Sequence, residues 1–296
     1  MMMTDKFFVK QWTIGIAKGK LDDILNNQLA SLYFKWIDIP NPEVFVADPF
    51  VLELPSGEIH VLAEHIQQPN YGKLISYRFN KDLVLQEEKI ILDTGKHLSY
   101  PFILEENDEI FIIPESAMAS GVFAYPYNPN EMSLGEPITL ISENPLLDST
   151  LIFHEGKWWL FATKKGPYGN SELFIYHAAD WRGPYQSHEM NPVKKDDDGS
   201  RPAGKIFKKG DDLFRPAQNC KEYYGKSVTL YKIQTLTTKT YVETPFVELK
   251  ADIHQKNKYG LHTINHSDSV IVVDCLKKTF NPFIQIKLFI QKKLNR

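Results

Sequence analysis

Cysteine is nearly missing: the 296-residue chain holds Cys220 and Cys275 and no more. Two thiols outside any CxxC pair are too few for a disulfide framework and lack the spacing of a zinc or redox site. Both are expected to be reduced and partly buried. Long hydrophobic runs are missing too, since nothing approaches the roughly 18 apolar residues that span a bilayer. The opening MMMTDKFFVKQW has no apolar stretch followed by a small-residue cleavage site. Neither a transmembrane helix nor a leader is therefore indicated, and a cytoplasmic protein is expected. Charge of one sign is balanced away, with 34 Lys+Arg against 37 Asp+Glu. That removes the basic bias of a general nucleic-acid binder, and no nucleic-acid partner is expected. No HExxH, serine elbow or GxGxxG before a helix occurs, so the sequence predicts neither metal nor cofactor.

Helix signals are scarce as well. Leu21 to Phe34 (LDDILNNQLASLYF) carries apolar residues at a spacing that fits one short amphipathic helix. The remainder is short β-rich runs such as VFVADPFVLEL, EIHVLAEHI, EIFIIPES, KWWLFAT and SVIVVDCL, broken by Gly, Pro, Asn and Asp. An all-β chain follows.

A weak repeat organises these runs. Similar strand beginnings recur at Asp48-Pro49-Phe50, Tyr100-Pro101-Phe102, Asp148-Ser149-Thr150, Arg201-Pro202-Ala203 and His262-Thr263-Ile264, spaced 52, 48, 53 and 61 residues. In the first three a turn (SGEIH, NDEIF, EGKWW) and a second strand follow. Radially repeated sheets give this pattern, so residues 1–280 are read as a single five-bladed β-propeller. The N-terminal FFVKQWTIGIA is expected to pair with the last unit and close the ring. Trp158 and Trp159 point to opposite faces of one strand, so at most one is expected in the core of its blade. The innermost strands of a propeller run along its axis, and polar residues at their beginnings converge on one pocket.

The ADPFV of the first repeat, Asp148 in LLDSTLIFHEGKWWLFAT and the GKWWLF turn together resemble the five-bladed propeller glycosidases. These are the arabinanase and xylosidase group (glycoside hydrolase family 43) and the invertase-like enzymes. The resemblance implies that Asp48 is the general base or nucleophile and that Asp148 is the orienting carboxylate. Glycosyl chemistry needs one carboxylate that attacks or activates and one protonated acid at the leaving oxygen. The glycosidases place that acid in the fourth blade, where this chain has SRPAGKIF and LFRPAQNC. Glu115, in IPES of the second repeat, is the strong glutamate elsewhere, open to two roles: proton donor, or ligand of a sugar hydroxyl. Glu64, in LAEH, occupies the matching second strand of the first repeat.

Arg201 and Arg215, in near-identical RPA contexts, predict an anionic ligand held by guanidinium groups: a sugar nucleotide, sugar phosphate or acidic sugar. His97 and His262 are candidates to bond a sugar hydroxyl or carry a proton. Tyr100 is the aromatic expected to face the ligand. The SYPF, IPES, SRPAG, FRPAQNC and HTIN strings resemble most the propeller domain at the N-terminus of glucosamine inositolphosphorylceramide transferases and its bacterial relatives. That resemblance implies a part in the synthesis of a surface polysaccharide or glycolipid, and the missing leader and the two arginines point to glycosyl transfer in the cytoplasm. Hydrolysis of the family 43 type and a non-catalytic glycan-binding or scaffold propeller remain the alternatives.

Residues 281–296 form a different signal. From Leu276 the chain carries Lys277, Lys278, Lys287, Lys292, Lys293 and Arg296 with no acidic residue, interleaved with Phe283, Ile284, Ile286, Leu288, Phe289 and Ile290. Such a basic amphipathic tail fits an anionic membrane surface at the inner face of the membrane, an assembly partner, or the rim of the propeller itself.

Overall fold

The computed structural model describes residues 7–251 and 259–294. Their strands form five antiparallel sheets, which are the five blades. The first blade runs outward through Val44–Glu53, Ile59–Gln67, Lys73–Phe79 and Leu85–Leu92. The second begins Ser99–Glu106, Glu109–Glu115 and Gly121–Asn128, and the third Leu146–His154, Lys157–Lys164 and Glu172–Ala178. In the fourth, Pro202 bridges to Ala217 on the axis side, followed by Phe207–Lys209, Asp212–Asn219, Ser227–Leu236 and Tyr241–Lys250. The fifth sets Ile264–His266 and Val270–Phe280 beside the N-terminal strand Phe8–Lys18.

That last pairing closes the ring. Phe8 faces Phe280 and Lys18 faces Val270, with every residue between them in register. Two open sheet edges are thereby removed. The outermost strand Leu85–Leu92 stays exposed over most of its length and blunts its edge with Gln86, Glu87, Glu88 and Lys89.

Blades bury both faces against their neighbours. Trp158 packs in a cluster with Phe102, Phe111 and Trp181, whereas Trp159 packs with Phe161, Ile175 and Tyr241. Both tryptophans are therefore core residues. The expectation that only one would be buried fails because alternation sorts residues between two packed interfaces, not between core and water. Ile14, Ile16, Val61 and Val272 join the fifth blade to the first, and Phe214, Leu230, Ile264 and Val273 join the fourth to the fifth.

The helix expected over Leu21 to Phe34 is shorter than its pattern. An α-helix covers Leu21–Leu25, and a 3-10 turn covers Leu29–Ser31. Asn26 caps the first, and Asn27 sits at φ 54°, a left-handed conformation that ends a helix. Ile24, Leu25 and Leu29 still reach the core. A second helix, Pro282–Leu294, follows the last strand.

Candidate active site

Three inner strands share one irregularity. Their ladders slip between Ala47 and Phe50, between Ser99 and Phe102, and between Leu147 and Thr150. Within each slip one residue is left-handed: Asp48 at φ 53°, Tyr100 at 45° and Asp148 at 52°. Such bulges free a residue from the ladder and re-aim its side chain, and positive φ in non-glycine residues is costly enough to mark functional sites. Pro49 and Pro101 suit these points because a bulge needs no ladder donor there.

Asp48 is nearly buried and is held by other blades. Its Oδ1 accepts the Thr263 hydroxyl at 2.6 Å, and its Oδ2 accepts the Tyr100 backbone N–H at 3.3 Å. His262 Nε2 lies 3.6 Å from Oδ1. Burial pushes the Asp48 carboxyl up to about 6, with the charge of His262 opposing and Asp148 and Asp274 adding.

Asp274 anchors this side. It accepts the backbone N–H groups of Asp48, His262 and Thr263, and its Oδ2 lies 2.5 Å from His262 Nδ1. Burial alone would lower the His262 imidazole, but Asp274 and Asp48 outweigh it and raise it. Trp12 stacks on the same ring at 4.1 Å, and Tyr224 meets it edge-on at 5.3 Å. Asp48, His262 and Asp274 offer oxygen and nitrogen atoms within 4.8 Å of one another, a possible metal grouping by distance. Asp274 already accepts three backbone N–H groups, so the grouping fits an imidazolium held between two carboxylates better than a bound cation.

The other side is built on Asp148. Arg201 donates from Nε to its Oδ2 at 2.6 Å and from Nη2 to Oδ1 at 3.5 Å, while Gln218 donates to Oδ2 at 3.3 Å. The guanidinium also donates to Asn170 Oδ1 at 3.0 Å, lies 3.6 Å from Glu115 Oε2, and sits 5.3 Å from the centre of the Tyr224 ring. Glu115 Oε2 is buried without a hydrogen-bond partner. Burial, then the charge of Asp148, push the Glu115 carboxyl well above the usual carboxylate range, against the pull of Arg201. Glu64 is raised likewise, by burial first and then by Asp48, Glu115 and Asp148. His97 Nδ1 accepts the Gly72 N–H at 3.0 Å, which leaves a neutral ring's proton on Nε2, 3.4 Å from Glu64 Oε1. Burial, then Arg201, lower the His97 imidazole.

Asp48, Glu115, Asp148, Arg201, His97 and His262 are thus brought together around the axis. Two expected residues are placed otherwise. Tyr100 is fully buried, its hydroxyl bonded to Thr150 Oγ1 and to the backbone of Gly204, so it pins three blades and offers a ligand no face. Arg215 lies inside the fourth blade, where Glu243 takes its Nε at 2.8 Å and Nη2 at 2.6 Å and Gly199 takes Nη2 at 2.5 Å. Strand alternation at 215 turns it into the sheet packing, so the expected pair of arginines on one ligand is not assembled.

Several members were not singled out from sequence as site residues: Asp274, Tyr224, Trp12, Asn170 and Gln218. From sequence Glu64 stands out only as the counterpart of Glu115. A signal existed in the register. Glu64 faces Ala47, Glu115 faces Ser99 and Thr163 faces Leu147, each opposite the residue before the bulge. Gln218 donates its N–H to Arg201 O and Asp274 to Thr263 O, which puts both at the matching point of their blades.

Comparison with known proteins gives the family and the fold. The family model described as "Glucosamine inositolphosphorylceramide transferase 1, N-terminal" matches residues 34–273. The glucosamine inositolphosphorylceramide transferase 1 of Oryza sativa subsp. japonica is 34% identical over 215 residues, covering 69% of this chain and 28% of that protein. The protein of the same name from Arabidopsis thaliana is 30% identical over 243 residues, 77% of this chain and 30% of its own length. This chain therefore spans less than a third of those relatives. Among solved structures, a family 117 glycoside hydrolase from Zobellia galactanivorans superposes with a TM-score of 0.55 at 12% identity, over 94% of this chain and 92% of that one. An α-L-arabinofuranosidase from Podospora anserina gives 0.56 at 13% identity, over 75% of each chain. At such identities the likeness is one of fold.

Proposed function

The chain belongs to the family of the N-terminal part of glucosamine inositolphosphorylceramide transferase 1, and from that premise we propose that it is a carbohydrate-active enzyme. It transfers a glycosyl unit to a hydroxyl acceptor in the synthesis of a surface polysaccharide or glycolipid. The observation that carries this reading is the split between carboxyls around one buried centre. Asp48, near 6, is largely ionised at neutral pH, whereas burial and neighbouring carboxylates raise Glu115 and Glu64 well above the usual carboxylate range, toward the protonated form. Pairs of acids whose environments push them apart supply a base and a proton donor in one site.

In the proposed step the acceptor hydroxyl gives its proton to Asp48 as its oxygen bonds to the anomeric carbon. The bond from that carbon to the leaving oxygen breaks, and the leaving oxygen takes the Glu115 proton. Asp148 and Arg201 hold Glu115 in place and tune it. Tyr224, partly exposed beside Arg201, gives a sugar ring a surface to stack on.

One observation favours a second reading, hydrolysis of a neutral glycan. Arg201 is already matched to Asp148 and Glu115, and Arg215 to Glu243, so neither guanidinium is spare for a nucleotide phosphate. A neutral glycan donor suits this arrangement better than a phosphorylated one.

The test is incubation of the purified chain with a panel of sugar nucleotides and neutral glycans, with and without acceptors, read by mass spectrometry. An acceptor product that disappears in Asp48→Asn supports transfer. Free sugar alone, lost in the same variant, supports hydrolysis. Ligand binding by calorimetry without turnover of any donor would overturn the enzymatic reading.

A further inference from the structure

We propose that the face of the propeller on which the site opens docks on an anionic membrane surface, with the C-terminal helix as its anchor. The inner strands begin on this face, and the second strands of all five blades end on it. The second strand of the fifth blade, Val270–Phe280, ends there too, and Pro282–Leu294 follows directly. The helix lies on the rim of that face. Asn281 donates its N–H to Phe7 O, Gln285 Nε2 donates to Phe8 O at 2.6 Å, and Lys287 pairs with Glu43 just ahead of the first inner strand.

The helix turns its apolar side outward. Ile284 and Leu288 are half-buried toward the blades, whereas Phe283 is 83% exposed, Ile286 54% and Ile290 51%. Their i, i+3, i+7 spacing makes one stripe, which Phe280 at 64% extends. A solvent-facing stripe of this size without a packing partner marks a binding surface. Its charge identifies the occupant. The segment after Asp274 holds Lys277, Lys278, Lys287, Lys292, Lys293 and Arg296 and no acid. Apolar side chains among lysines are the composition that inserts into an anionic headgroup layer.

The same face carries further exposed side chains suited to an interface: Tyr71, Met118, Tyr168 and Tyr223, each in or beside the loop that follows a second strand, and Tyr259, ahead of the fifth inner strand. Tyrosine, apolar in body and polar at its tip, favours the headgroup region. The acidic run Asp196 to Asp198 leads into the fourth inner strand on this same face, where Asp198 lies 3.8 Å from Lys221, so the attraction to anionic lipid comes from the lysines of the tail. Docked in this way, the pocket meets glycans attached to lipid or held close to the bilayer. That last consequence rests on the proposed function; the docking itself does not.

The test is sedimentation of the full chain with vesicles of phosphatidylcholine alone or mixed with phosphatidylglycerol, at low and high salt. Binding is expected to the anionic vesicles and to weaken with salt. It should fall about fivefold for each lysine neutralised among Lys292→Gln and Lys293→Gln. The double variant Phe283→Asp/Ile286→Asp should lose it while keeping its far-ultraviolet circular dichroism. Equal binding to neutral and anionic vesicles, no binding, or unchanged binding by the double variant would overturn the proposal. So would light scattering that shows a dimer dissociated by the same two substitutions, since the stripe would then serve a second copy. Sedimentation reads no catalysis, so failure of the enzymatic reading leaves this outcome interpretable.

Discussion

At the scale of single residues, the Asp48 carboxyl titrates near 6 because burial outweighs the help it receives from His262 and Thr263. Its role as a base therefore disappears as pH falls through about 6, and kcat/KM should drop tenfold per pH unit below that point. An alkaline limb should appear only well above the ordinary carboxylate range, where Glu115 ionises. The same shift has a stability consequence of opposite sign. A carboxyl raised from 3.8 to about 6 contributes stability fully below 3.8, and that contribution is lost as pH rises through 6. The loss is on the order of 3 kcal/mol. Asp48→Asn should thus abolish turnover, by about a hundredfold or more, yet melt no lower than the parent at pH 5 and higher at pH 8. Differential scanning calorimetry across pH checks this. Arg201→Ala should do the reverse, destabilising by about 3–5 kcal/mol because Asp148 is left buried without its partner.

At the scale of elements, the bulge and the second-strand position opposite it form a unit repeated around the ring. In the first and third blades the bulge carries an aspartate; in the second it carries Tyr100, whose hydroxyl joins the third and fourth blades through Thr150 and Gly204. Tyr100→Phe should therefore cost about 1–3 kcal/mol, by leaving those buried groups short of a partner, and should raise KM less than Tyr224→Ala does. Urea denaturation and steady-state kinetics on the two variants separate the effects. Arg215 tells the complementary story. Its sequence context copies that of Arg201, but the residue belongs to a second strand and locks Gly199 and Glu243 within the fourth blade. Arg215→Met should unfold more readily by about 3–5 kcal/mol, with ligand affinity unchanged in calorimetric titration.

At the scale of the whole molecule, ring closure holds the site together, because every carboxyl in it depends on contacts from another blade. Asp48 of the first blade is held by Thr263 and Asp274 of the fifth, and Asp148 of the third by Arg201 and Gln218 of the fourth. Deleting residues through Lys18 removes the strand that completes the fifth blade, and should abolish the cooperative melting transition. Ending the chain at Asn281 removes only the rim helix. That truncation should fold and keep its soluble-substrate activity while losing binding to anionic vesicles, as measured by sedimentation.

The sequence by itself determined whatever depends on neighbours along the chain. Strand alternation, turn residues and a blade-length repeat define five sheets and the closing strand, and the Asp-Pro and Asp-Ser strand beginnings mark where Asp48 and Asp148 leave the ladder. The basic, acid-free tail was equally plain. Only the tertiary structure decided which charges meet. Arg201 finds Asp148 and Arg215 finds Glu243, although both stand in the same three-residue context. Glu64 and Asp274 enter the site from second strands, Trp12 from the closing N-terminal strand and Tyr224 from a loop, all far apart in sequence. The physical reason is that local pattern sets which face of a strand a residue takes, whereas burial and Coulomb energy depend on distances between blades. Those distances exist only once the ring has closed.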